Sequence, residues 1–123
     1  MAKIERIVSG DFDNLKDYIK KELPKESITF SLEEEFAGIA NGKKYWIIAC
    51  ERYAALGANR TSLCMTMLEE EGGNHIMATG TGGSQGTFIK INTWSESEFL
   101  GTLDSVLNRY EHLNSGHSVK QTM

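Results

Sequence analysis

The stretch Asn41-Gly42-Lys43-Lys44-Tyr45-Trp46-Ile47-Ile48-Ala49-Cys50-Glu51-Arg52-Tyr53 decides how this chain folds. Asn-Gly is a strong hairpin signal, because both central residues of a type I′ turn need positive φ. Lys43 to Tyr53 then reads as the longest strand in the chain, rich in β-branched and aromatic side chains. Successive side chains of a strand point to opposite faces. Tyr45, Ile47 and Ala49 therefore share one face, and Trp46, Ile48 and Cys50 share the other. Both faces are apolar, so both want cover.

On the N-terminal side, Ser27 to Glu33 alternates. Ile28, Phe30 and Leu32 oppose Ser27, Thr29, Ser31 and Glu33, the pattern of a half-buried antiparallel strand. Phe36 to Ala40 continues or bends it up to the Asn-Gly turn. On the C-terminal side, Ala54 to Arg60 is a loop and Thr61 to Leu68 the next strand. Its Leu63, Met65 and Met67 are opposed by Cys64, Thr66 and Leu68. Gly72-Gly73-Asn74 turns the chain into a further strand, His75 to Thr79.

Two helices flank this run of strands. After a short strand over Lys3 to Val8, Ser9-Gly10-Asp11 starts the first. Phe12, Leu15, Ile19 and Leu23 trace its apolar face, and Pro24 ends it. The second begins at Ser95-Glu96-Ser97-Glu98, a capping box with Trp94 and Phe99 placed as a hydrophobic staple. Phe99, Leu100, Leu103, Val106, Leu107 and Tyr110 then repeat at three and four residues, one core-facing stripe. The expected fold is α+β and two-layered. A twisted antiparallel sheet of five or six strands, in the order β-α-β4(5)-α, carries both helices on one face. Residues 1–113 form one domain, and the polar, aperiodic residues 114–123 a disordered tail.

Composition narrows the function classes. With 13 basic and 17 acidic residues the net charge is −4, which argues against duplex nucleic acid and anionic membranes as partners. No stretch reaches transmembrane length, and Met1 to Arg6 does not read as a signal peptide, so a cytoplasmic location is expected. Cys50 and Cys64 lie in apolar strand patterns and read as buried thiols, with a disulfide left open. No Cys/His cluster has zinc spacing, and neither a metal nor a cofactor is expected. The runs Glu33-Glu34-Glu35 and Glu69-Glu70-Glu71 read as solvated strand margins that discourage edge association.

Gly80-Thr81-Gly82-Gly83-Ser84-Gln85-Gly86 is the densest glycine segment. A phosphate-binding loop would close on Lys-Ser or Lys-Thr and lead into a helix. Here β-prone Thr87-Phe88-Ile89 follows, and Gln85 stands where the dinucleotide fingerprint requires its third glycine. A wide turn or bulge outweighs an anion site. Ser84 fits only the outline of a nucleophile elbow, and nothing marks His75 as its base.

Glu51-Arg52-Tyr53, Leu56-Gly57-Ala58-Asn59-Arg60, Gly82-Gly83-Ser84-Gln85 and Lys90-Ile91-Asn92-Thr93-Trp94 together resemble an uncharacterised family of small bacterial proteins, a domain of unknown function. The resemblance spans most of residues 3–112 and implies no activity. The order of elements resembles the β-α-β4-α arrangement of TATA-binding-protein-like and helix-grip folds, which by itself says nothing of function.

Two functional readings follow from the two-faced strand. In the first, a sheet-helix cleft binds a small, partly apolar ligand without catalysis. Trp46 would form its wall, and Arg52, Arg60, Ser84 and Gln85 its polar rim. In the second, an open sheet face joins two copies into a homodimer with an interaction or regulatory role. Catalysis ranks third, since no paired acid, base and nucleophile emerges.

Overall fold

The computed structural model describes residues 2–53, 60–82 and 99–114. Strand β1 (Ala2–Val8) leads into helix α1 (Phe12–Glu22) and a 3-10 turn (Leu23–Glu26). Strands β2 (Ser31–Ala40), β3 (Lys43–Tyr53), β4 (Arg60–Glu70) and β5 (Gly73–Thr81) follow. Helix α2 occupies 99–114. The five strands form one sheet in the order β1-β5-β4-β3-β2, and every neighbouring pair is antiparallel. This is the expected β-α-β4-α, two-layer α+β architecture, and β3 has the expected bounds. The second strand pair turns at Asn41 (φ 55°) and Gly42 (φ 81°), the positive dihedrals that make Asn-Gly the preferred pair there.

Helix α1 starts where Asp11 accepts the Asn14 backbone N–H at 3.0 Å, a cap contributing about 0.5–2 kcal/mol. Asp13 near its start and Lys20 and Lys21 near its end complement the helix dipole. Phe12, Leu15 and Ile19 turn inward. Phe99, Leu100, Leu103, Val106, Leu107 and Tyr110 of α2 do the same, and all join one core with Trp46, Ile48, Leu63, Met65, Met67 and Ile76. Tyr18 of α1 meets Tyr110 of α2 with ring centroids 5.2 Å apart, so the helices lie side by side on the same face. Arg6 of β1 ties α2 down through Asp104 (2.6 Å), Asn108 (2.9 Å) and Glu111. Buried Asn74 donates to the Val8 and Gly10 carbonyls (3.1 and 2.9 Å), fixing the exit of β1.

Two expectations need correction. The alternation over Ser27 to Thr29 does not make a strand, and β2 begins at Ser31. Phe30 N–H bonds back to the Ser27 carbonyl (3.2 Å), while Ser27 Oγ accepts from the Thr29 N–H (3.2 Å). Local side-chain bonds of this kind compete with ladder formation. Ile28 is fully exposed as a result. Cys64 is the second correction: it is exposed, whereas Cys50 is buried, and both thiols are free. Cys50 pairs with Leu63 and Cys64 with Ala49, which puts the two thiols on opposite faces of the sheet.

A break in register between Leu32 and Glu34 shapes β2. Leu32 opposes Cys50 and Glu34 opposes Ala49, leaving Glu33 as the extra residue of a bulge. One added residue reverses the facing of everything beyond it. Phe36 is thereby paired with Ile47 on the side away from the helices, and Glu35 with Ile48 beneath α1. There Glu35 accepts the Trp46 indole N–H at 2.8 Å and pairs with Lys20 at 3.0 Å.

Candidate functional site

Both helices cover the Trp46 side of the sheet, and among the described residues no element packs on the opposite, bare side. Pairing registers lay its side chains in rows that cross all five strands. One row runs Gly38, Tyr45, Leu68, His75, Ile7 from β2 to β1. The next runs Phe36, Ile47, Thr66, Met77, Glu5, and a third runs Glu34, Ala49, Cys64, Thr79, Lys3. In the second and third rows apolar and small residues fill the middle and charge stands only at the ends, while the first ends on Gly38 and Ile7 and carries His75 inside. Phe36 is 58 % exposed and Ile7 55 %, values at which a large apolar side chain is plainly uncovered. Tyr45 lies over Gly38, where any Cβ would come within 2.7 Å of its hydroxyl. A shallow concavity of about 260 Å³ opens on this face between Lys3, Glu5, Cys64, Thr66, Met77 and Thr79.

The margin of the face is largely self-paired. His75 Nε2 sits 2.7 Å from Glu5 Oε2, and its Nδ1 lies 3.5 Å from Glu70. The Glu5 hydrogen bond, with Glu70 adding to it, raises the imidazole pKa above its usual value. Arg60 reaches Glu51 at 2.5 Å. On the covered side, the Trp46 N–H and then Lys20 hold the Glu35 carboxyl below its ordinary range. Burial pushes the Cys50 thiol up to about 12, so it is an inert core side chain.

The sequence-predicted site residues scatter. Trp46 is fully buried under α1, with Lys16 Nζ 5.9 Å from its ring centroid. Arg52 is buried on the same side, its guanidinium 4.6 Å from the Phe99 ring centroid. Six residues of strand, roughly 20 Å, separate the two. Arg60 pairs across from Tyr53 and so belongs to the bare side. Arg52 and Arg60 both border a concavity of about 170 Å³ at this end of the sheet. Ser84 and Gln85 lie outside the described residues, as do the segment 54–59, the capping box over 95–98 and the tail over 115–123.

Among the described residues no group of three or more His, Cys, Asp and Glu could hold a metal ion. Nor does the bare face bring Cys64 to a base: His75 stands two rows away, about 14 Å at strand spacing. No helix among the described residues is long and apolar enough to cross a membrane. Sequence reading expected an open sheet face from β3 alone; what it missed is the continuation of that face across β4 and β5. Its signal was present in the weaker-facing sides of β4 and β5, Cys64-Thr66-Leu68 and His75-Met77-Thr79, which are too apolar for a solvated face.

Fold and face together define a two-layer α+β domain with one helix-covered and one bare sheet surface. The chain belongs to a family of proteins of unknown function, DUF6054, whose model matches residues 1–111. No curated protein matches it.

Proposed function

We propose that this chain is a non-catalytic interaction module that pairs with a second copy of itself through the bare sheet face. One observation carries the reading: both helices pack over Trp46, and among the described residues no element covers the side that holds Phe36, Tyr45, Ile47, Leu68 and Met77. Five strands spaced ~4.8 Å apart and three rows ~6.8 Å apart along them give a patch of roughly 500 Å² per copy. A soluble monomer rarely exposes a contiguous apolar patch above a few hundred Å². Two such patches bury about 1,000 Å² in total, the size at which a contact begins to count as a specific protein interface. Two free thiols in so small a chain fit a reducing compartment such as the cytoplasm.

The small-ligand reading draws less support. The seam between α1 and the sheet beside Trp46 holds a gap of about 40 Å³. Small-molecule sites start at ~300 Å³. Sedimentation equilibrium across the micromolar range tests the homodimer, with Ile47→Asp as the disrupting variant. A dimer is expected for the unaltered chain, and a folded monomer for Ile47→Asp. A monomer at every concentration for the unaltered chain would overturn the reading.

A further inference from the structure

We infer that the two copies meet about a two-fold axis running along β4 in the plane of the interface, with Lys3 of each copy facing Glu34 of the other. This rests on the homodimer reading above and adds to it the register of the contact. Homodimers close with two-fold symmetry, and face-to-face sheets allow an in-plane axis along the strands or across them.

An axis along the strands keeps each cross-strand row opposite itself and reverses its order. β4 is the middle strand of the five, so it packs on its own copy, β5 on β3 and β1 on β2. The row Glu34, Ala49, Cys64, Thr79, Lys3 then meets itself reversed. Lys3 faces Glu34 at both ends, Thr79 faces Ala49, and Cys64 lies against Cys64 on the axis. In the row Phe36, Ile47, Thr66, Met77, Glu5 the same reversal sets Met77 on Ile47 and Phe36 over the Glu5 stem. Neither Lys3 nor Glu34 has an ion-pair partner among the described residues, so both charges are available to the other copy.

The axis across the strands does worse. Centred on the same middle row, it packs every strand on its own copy and sets Glu5 against Glu5. Lys3 would then face Ile7, and Glu34 would face Gly38. Like charges in direct opposition disfavour an arrangement more strongly than rim pairs favour one. Aligned sheets cross at about 30°, which tilts the axis about 15° from β4 and displaces edge partners by roughly 5 Å. Lys and Glu side chains together span that shift.

The test combines charge reversal with cross-linking. Lys3→Glu and Glu34→Lys are each expected to weaken the dimer about tenfold, since each breaks two symmetry-related pairs. The double variant is expected to recover to within about threefold. A zero-length carbodiimide should join exposed Lys3 of one copy to exposed Glu34 of the other, giving a Lys3–Glu34 linked peptide that is lost in Lys3→Arg. A dimer that ignores both charge reversals, a double variant that stays weak, or a dimer that does not cross-link would overturn the axis and leave the homodimer standing. A chain that never dimerises removes both.

Discussion

The two faces of one sheet are built from the same five strands and follow opposite rules. On the helix side, Trp46, Leu63, Met65, Met67 and Ile76 are fully buried, with the Trp46 indole bonded to Glu35 and Asn74 to two carbonyls. On the bare side, Tyr45, Ile47, Leu68 and Met77 keep part of their surface exposed and Phe36 and Ile7 more than half, with charges at the ends of two of the three rows. The difference teaches that burial here is decided by where two helices fit, rather than by the hydrophobicity of the strands.

Replacing one residue from each face gives the widest contrast. Trp46→Ala should lower stability by ~3–5 kcal/mol, combining lost burial, a cavity and a Glu35 carboxylate deprived of its indole donor. Urea titration reads it directly. Tyr45→Ala, its neighbour in sequence but on the bare face, should lower monomer stability by about 1 kcal/mol or less. Equal losses would break the distinction between the faces. Next in size, Phe36→Ala should leave the monomer's unfolding midpoint nearly unchanged while weakening self-association about tenfold, read by sedimentation.

Arg6 sharpens the account of the roof. It reaches from the covered side of β1 to Asp104, Asn108 and Glu111 of α2, all partly exposed. Arg6→Ala should therefore lower stability by only about 1 kcal/mol. A larger loss would mean that α2 is held by charge more than by its apolar stripe.

The smallest effects come from pH, and the two faces should respond in opposite directions. On the covered side, Glu35 has a folded pKa below its ordinary 4.5. Its contribution is present above that value and disappears as pH falls through the folded one. On the bare side, His75 has a folded pKa above its ordinary 6.5. Its contribution is complete below 6.5 and disappears as pH rises through the raised value. Denaturation midpoints measured from acid to mildly alkaline pH should lose the acid limb in Glu35→Gln and the alkaline limb in His75→Gln. Unchanged profiles would show that neither contact matters.

Much of this was legible in the residues. Asn41-Gly42 fixed the hairpin because few other pairs accept two positive φ angles, and the stripe from Phe99 to Tyr110 marked a helix because its period matches nothing else. That both helices share one face was the simplest packing of the element order, since the apolar stripe of each would serve on either side of the sheet. The bulge at Glu33 was not legible, since an extra residue shows only against the partner strand. Without it Phe36 reads as a core side chain, and with it Phe36 becomes part of the bare face. Ser27 and Thr29 misled in another way, because their hydroxyl bonds to the backbone are as compatible with alternation as a ladder is. Cys64 looked like Cys50 because the two faces of β3 and β4 differ less in composition than in cover.

The most direct test of the central claim is the rate at which a thiol reagent modifies Cys64 as protein concentration rises. Cys64 lies in the middle strand of the bare face and Cys50 is sealed in the core, so the signal has one source. If that face joins two copies, modification should slow with concentration in step with dimer formation. A rate that stays constant from dilute to concentrated protein would contradict the account.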